Sequence, residues 1–276
     1  MLSYRHAFHA GSFADLLKHA VLVQVLRHAV QKPKPLYYLD THAGAGSYDL
    51  TAAMAEKTGE WRDGIARAVA APEPPDLFRP FLELVRAANA EGPLRTYPGS
   101  PALARAILRP QDRIELVELH GTDHDLLADW AGGSALVRRL DGLTALVHRV
   151  PPRERRGVAL IDPSYEIKTD FEDVVDALAQ AHRRFATGAF LLWYPVIDRA
   201  RTEAMLGALR ATRIPRQLRL ELCPRPDTPG RGMTGAGMLV INPPWTLPEA
   251  AQAGLPWLAR LLDAGDRWQV GWNVPP

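Results

Sequence analysis

The 276-residue chain has one cysteine, Cys223, so no disulfide can form within it and a reducing compartment fits. Cys223 lies in an apolar-alternating run and reads as a buried structural thiol. No run of about 18 apolar residues occurs, which excludes a membrane-spanning helix, and no membrane partner is expected. The first turns carry His6, His9, Asp15, Lys18 and His19, unlike an export signal, so the protein is expected in the cytoplasm. An excess of one charge is also missing. With 33 Lys and Arg against 31 Asp and Glu, any nucleic-acid footprint must be local. The basic residues are mostly Arg and cluster at 153–156, 183–184 and 225–231, where solvated surface is the commoner reading. His6, His9, His19 and His42 lack Cys or acidic partners at regular spacing, and there is no H-E-x-x-H, so no metal is expected.

What is present is an α/β pattern. Residues 13–30 have apolar positions at helical spacing, which predicts an amphipathic helix. Strand signals recur at 36–39, 114–119, 135–140, 158–161, 189–194, 217–223 and 237–241, with helical text between most of them. Such alternation predicts a mostly parallel sheet with helices on both faces. Only a loop separates the last two strands, so they are expected to pair antiparallel. Residues 50–95 are Ala- and Pro-rich, with no strand among them, and read as a helical insertion within a single domain, 1–276. Ser100 is placed as the N-cap of the helix that follows.

Gly44-Ala45-Gly46 follows the first strand, as the glycine loop of a nucleotide-binding fold does. A dinucleotide fingerprint wants a third glycine where Asp49 stands, and no Gly-Lys-Ser/Thr run exists for a phosphate loop. A tight turn remains, open to close approach by a ligand without phosphate, such as S-adenosylmethionine. Glu118 ends the next strand, where an acid can take ribose hydroxyls. Asp141-Gly142 ends the one after, where a carboxylate and a glycine N–H could read an adenine edge. A solvated carboxylate is the alternative reading for either acid, and a stronger one at Asp141 than at Glu118.

The fourth parallel strand discharges into Asp162-Pro163-Ser164-Tyr165. An exocyclic adenine amine is a poor nucleophile because its lone pair is delocalised into the ring. A carboxylate and a backbone carbonyl accepting its N–H groups restore nucleophilic character. Pro163 holds the turn, and Tyr165 offers a flat face on which an extruded base can stack. By itself the tetrapeptide is as readily a plain proline turn. Asn242-Pro243-Pro244-Trp245 spells an amine-holding motif better, but it follows a strand expected to run antiparallel. Ligands bind beyond the carboxyl ends of parallel strands, which favours Asp162. Asn242–Trp245 is then structural, with the tryptophan packed under the sheet.

Together these motifs resemble the RlmJ family of 23S ribosomal RNA adenine-N6 methyltransferases. The likeness runs end to end: Met1-Leu2-Ser3-Tyr4-Arg5-His6, Phe8-His9-Ala10-Gly11, Asp15, Lys18-His19, residues 39–46, Tyr97-Pro98-Gly99-Ser100 and Glu118-Leu119-His120. It continues through Phe185-Ala186-Thr187-Gly188, Trp193-Tyr194-Pro195-Val196, Arg231-Gly232-Met233-Thr234 and residues 241–245. The resemblance implies a Rossmann-like class I methyltransferase, with a seven-stranded sheet whose last strand is antiparallel and an inserted helical subdomain. It implies methyl transfer from S-adenosylmethionine, leaving S-adenosylhomocysteine, to N6 of adenosine 2030 of 23S rRNA during ribosome biogenesis. By position, His19, His42, Gly44, Ser100, Glu118, Asp141, Gly142 and Asp162 would line the cofactor. Asp162 would be catalytic, Tyr4 would touch the RNA with Pro163 and Tyr165, and His6 and Lys18 would shape the site. The family reads Asp-Pro-Pro-Tyr where this chain has Ser164, which removes a stiffening ring and restores a backbone N–H. A DNA adenine methyltransferase shares the tetrapeptide, but there is no separate target-recognition domain, and no DNA partner is expected. A non-catalytic RNA-binding module would need neither Asp162 nor the cofactor set. The expected partner is 23S rRNA, and the expected state is a monomer.

Overall fold

The computed structural model describes residues 4–167, 169–228, 230 and 232–276. Among these residues ten strands are found: β1 Tyr37–Asp40, β2 Ser47–Asp49, β3 Thr96–Pro98, β4 Arg113–Val117, β5 Leu136–Arg138, β6 Gly157–Ile161, β7 Ala189–Val196, β8 Gln217–Leu222, β9 Gly235–Ile241 and β10 Trp268–Val274. Eight of them form the main sheet, in the order β10-β8-β9-β7-β6-β1-β4-β5. From β5 to β7 every pairing is parallel, whereas β9 runs antiparallel to both β7 and β8. This is the Rossmann-like class I arrangement, with one strand more than expected. The extra strand is β10, an antiparallel edge beside β8. Its Trp268, Val270 and Trp272 alternate along WQVGWNV, a signal the sequence does carry.

The sheet separates two apolar layers, and the period-2 geometry of a strand assigns residues to each. Tyr38, Val158, Leu160 and Leu191 face one cluster; Leu39, Ala159, Ile161 and Leu192 face the other. Among the described residues the α-helices are α1 Phe13–Ala29, α2 Ala53–Thr58, α3 Arg67–Ala70, α4 Arg79–Ala87, α5 Ser100–Ile107, α6 Gly121–Ala131, α7 Gly142–Arg149, α8 Asp170–Arg184, α9 Arg199–Ala211 and α10 Leu247–Leu261. Residues of α1, α4, α5 and α10 fill the first layer, and residues of α7, α8 and α9 the second. Helix α1 departs from the amphipathic expectation. Almost every residue from Ala14 to Leu26 is buried, because α4, α5, α10 and β9 pack around it. Its polar residues Asp15, Lys18 and His19 are therefore interior groups that need partners.

Between β2 and β3 the described elements are helical, and β2 pairs with β3 antiparallel, bringing the two ends of that segment together. Ser100 is the first residue of α5 rather than its cap. Gly99 holds the cap position, and no side chain caps that end.

Candidate functional site

The site is built at the carboxyl ends of the parallel strands. The backbone leaving β1 is pinned to both neighbours: Thr41 N–H donates to the Leu160 carbonyl at 3.0 Å and Ala43 N–H to that of Val117 at 2.9 Å. This fixes the glycine loop between β6 and β4. Gly44 has φ +59°, and a Cβ there would lie 2.1 Å from the Tyr48 hydroxyl, so both conformation and space demand glycine. Glu118 receives Gly44 N–H on one oxygen at 2.9 Å and His120 N–H on the other at 2.7 Å. Burial raises the Glu118 pKa, and those two backbone donors oppose the shift.

Asp141 caps α7, its Oδ1 accepting from Thr144 N–H at 2.7 Å. Gly142 follows under a closer constraint, since a Cβ would meet the Thr41 carbonyl at 2.2 Å and the His42 ring at 2.7 Å. His42 Nδ1 lies 2.7 Å from Thr41 Oγ1, and His19 Nδ1 lies 2.6 Å from the Tyr97 hydroxyl. Burial pushes the two imidazoles down to about 4 and about 3, so both are neutral in the fold. Beneath them Asp40 is fully buried, and burial pushes its carboxyl up to about 6 against hydrogen bonds from Ser100 and Tyr38.

Asp162 leaves β6 directly beside the β1 loop. Its Oδ2 accepts from Lys18 Nζ at 2.6 Å, and among the described residues Oδ1 makes no hydrogen bond. Lys18 also pairs with Asp15 at 2.8 Å, while Asp15 Oδ2 contacts His6 Nε2 at 2.9 Å. His6 Nδ1 in turn meets the Tyr4 hydroxyl at 2.9 Å. The N-terminal segment thus lies over the same cleft as the glycine loop. Every proposed site residue lines this one cleft except Tyr165.

Tyr165 is a correction. The turn carries it into the left-handed region at φ +54°, and its side chain, 7 % exposed, packs on Phe171 at 4.6 Å between ring centres. Its hydroxyl donates to the Trp193 carbonyl at 2.9 Å. A ring enclosed in this way has no face for a base. Tyr4, Tyr48 and, on β7, Trp193 are aromatic residues that do line the cleft. The Trp193 indole N–H is buried without a partner among the described residues, and the Lys18 ammonium stands 5.8 Å from its ring centre. The position on the strand next to β6 was the available signal.

The rival motif lies at the other end of the sheet. Ile241 pairs with Phe190 at the start of β7, and Asn242 Nδ2 donates to the Ala186 and Gly188 carbonyls at 2.8 Å each. Trp245 is 77 % exposed and not packed under the sheet, a second correction. The two prolines and the start of α10 turn it outward. Among the described residues no group of three or more His, Cys, Asp or Glu is arranged to hold a metal ion, and no helix is long and apolar enough to cross a membrane. Met1–Ser3 and Arg231 of the family-like motifs lie outside the described residues.

The sheet order and the glycine-loop cleft define a Rossmann-like methyltransferase. The cleft fits S-adenosylmethionine: Gly44, Ser100, Asp141 and Gly142 line one opening, and Glu118 is fixed beside the glycine loop. The family described as "Ribosomal RNA large subunit methyltransferase D, RlmJ" matches residues 33–274, and the chain belongs to it. It is 47% identical over 279 residues to a protein of Escherichia coli (strain K12) named "Ribosomal RNA large subunit methyltransferase J", covering all of both chains. The protein of that name from Haemophilus influenzae is 42% identical over 280 residues, again covering all of both. A solved structure of a Legionella pneumophila protein superposes with a TM-score of 0.88 at 36% identity, covering 96% of this chain and 98% of that one.

Proposed function

We propose that the chain transfers a methyl group from S-adenosylmethionine to N6 of a single adenosine of 23S rRNA, adenosine 2030, acting as a cytoplasmic monomer during ribosome assembly. The two relatives, named for the large ribosomal subunit, support the class of substrate. The observation that carries the atom is Asp162, which stands at the end of β6, in one cleft with the glycine loop, with one oxygen taken by Lys18. In this reading the chain is one domain, with residues 50–95 as its inserted helical part.

When bound, S-adenosylmethionine supplies a methyl group on a sulfonium. His19, His42, Gly44, Ser100, Glu118, Asp141 and Gly142 are the residues to hold it. Glu118 already orders the loop through two backbone donors, and its remaining lone pairs suit hydroxyl groups. The neutral His19 and His42 add no positive charge near a cationic ligand. Asp162 and the Pro163 carbonyl accept the amine N–H bonds, which returns lone-pair density to N6. A carboxylate is a weak base toward an aryl amine, so polarisation precedes proton loss. Asp162 takes the proton once nitrogen has become positive. Trp193 replaces Tyr165 as a cleft aromatic against which a base can lie, beside Tyr4.

The test is methylation of protein-free 23S rRNA fragments, with the product nucleoside identified by mass. Wild type should yield N6-methyladenosine, and Asp162→Asn should lose about 10²–10⁴ in kcat while binding cofactor normally. Methylation at full rate by Asp162→Asn removes the assignment.

A further inference from the structure

Buried in the first turn of α1, Asp15 is 1 % exposed and joins three parts of the molecule. Its Oδ2 accepts Gly11 N–H at 2.8 Å and contacts His6 Nε2 at 2.9 Å, and its Oδ1 lies 2.8 Å from Lys18 Nζ. Lys18, 4 % exposed, reaches on to Asp162. One ammonium therefore stands between two carboxylates. Charge compensation needs only one of them, and Asp162 already provides it. A lysine side chain is long, with four rotatable bonds, and a single partner does not fix its head. Asp15, three residues earlier on the same helix, supplies a second anchor set by the α1 backbone.

We propose that Asp15 is a positioning residue: it aims Lys18 at Asp162 and ties the Tyr4–His6 segment to the same ammonium, so the carboxylate and the N-terminal segment take up their places together. This rests on the reading of Asp162 above. The competing role is purely structural, a carboxylate placed favourably in the first turn of a helix. Burial opposes the charge on Asp15, yet His6 and Lys18 hold its pKa well below the usual range, so it is a carboxylate throughout the working range of pH.

A double-mutant cycle separates the two roles. Asp15→Asn, Lys18→Met and the double variant are compared for kcat and KM on the 23S rRNA fragment, with cofactor affinity by calorimetry. Asp15→Asn should lower kcat by about 30- to 100-fold, as misplacement of a reacting group does, with KM and cofactor Kd changed less than about threefold. The double variant should be no slower than Lys18→Met alone, because both changes act through one group. Losses that multiply, or an Asp15→Asn variant within about threefold of wild type, overturn the proposal. Should Asp15→Asn not fold, Asp15→Glu retains the charge and displaces it by one methylene; it should lose about tenfold in kcat, and full activity there also overturns the proposal. The crystal structure of the variant gives a readout independent of activity. Lys18 is expected to spread over more than one rotamer about Asp162, and an ammonium held singly in its wild-type place refutes the positioning role even if wild type methylates some other atom.

Discussion

The molecule holds two proline turns of similar spelling at opposite ends of one sheet, and they have opposite fates. Asp162-Pro163-Ser164-Tyr165 leaves a parallel strand beside the glycine loop, and its carboxylate faces the Lys18 ammonium in a cleft. Asn242-Pro243-Pro244-Trp245 leaves an antiparallel strand, and its amide is consumed by two backbone carbonyls. Each turn puts a non-glycine residue in the left-handed region, Tyr165 at φ +54° and Asn242 at φ +55°. Asn tolerates that conformation, whereas for Tyr it costs about 1–3 kcal/mol, which burial and the hydroxyl bond must offset. The better-spelled motif is scaffold and the poorer one borders the cleft. Strand direction, more than the letters, decides which turn can meet a ligand.

The sharpest way to break this contrast is to treat both turns alike. Against the large kcat loss expected of Asp162→Asn, Asn242→Ala should keep kcat within about twofold, since it lies far from the cleft and shares no partner with it. It should still cost about 1–3 kcal/mol of stability in denaturant titrations, because two carbonyls lose their donor. A methylation defect in folded Asn242→Ala would erase the distinction. The aromatic residues give the next contrast. Tyr165→Ala should destabilise by about 3–5 kcal/mol, as a large buried ring does. Trp245→Ala, at an exposed ring, should stay within about 0.5 kcal/mol. Equal midpoints for the two variants would mean that Tyr165 is not the core residue described.

The cleft end carries a pH signature as well. His19 keeps a folded pKa of about 3 through burial, whereas in an unfolded chain a histidine protonates near 6.5. Between those values the unfolded state binds the extra proton. Stability contributed by this group is therefore fully present above about 6.5 and falls by up to about 1.4 kcal/mol per unit as pH drops. His19→Gln should remove that part of the slope, read as melting temperature against pH from 7.5 to 4.5; parallel curves for variant and wild type would show that His19 is not held neutral. The smallest effect is expected at Ser164. Ser164→Pro should leave kcat within about fivefold and, where the backbone fits, add about 0.4–1 kcal/mol of stability. A rise in kcat of several orders of magnitude would show that the serine cripples the turn.

Much of this was legible along the chain. The seven expected strands appear at nearly their expected places, because strands covered by helices on both faces read as unbroken apolar runs. The glycine loop, Glu118, Asp141, Gly142 and Asp162 were legible because each ends a strand on the same side of the sheet. Even the antiparallel β9 followed from the shortness of its connection to β8. Less visible were α1 and the edge strand. The sequence of α1 shows helical spacing, but burial on all sides comes from neighbours that arrive from α4, α5, α10 and β9.

What the sequence determined by itself was the alternation of elements, the direction of the strands and, with them, the residues available at the sheet's carboxyl edge. These are local properties of period, turn chemistry and connection length. Only the tertiary structure decided that Tyr165 turns inward, that Trp245 turns outward, and that Tyr4, His6, Asp15, Lys18 and Asp162 meet in one chain of contacts. Lys18 and Asp162 are 144 residues apart along the chain. Their contact exists because α1 is buried against the sheet, where a charged side chain must find a partner rather than water.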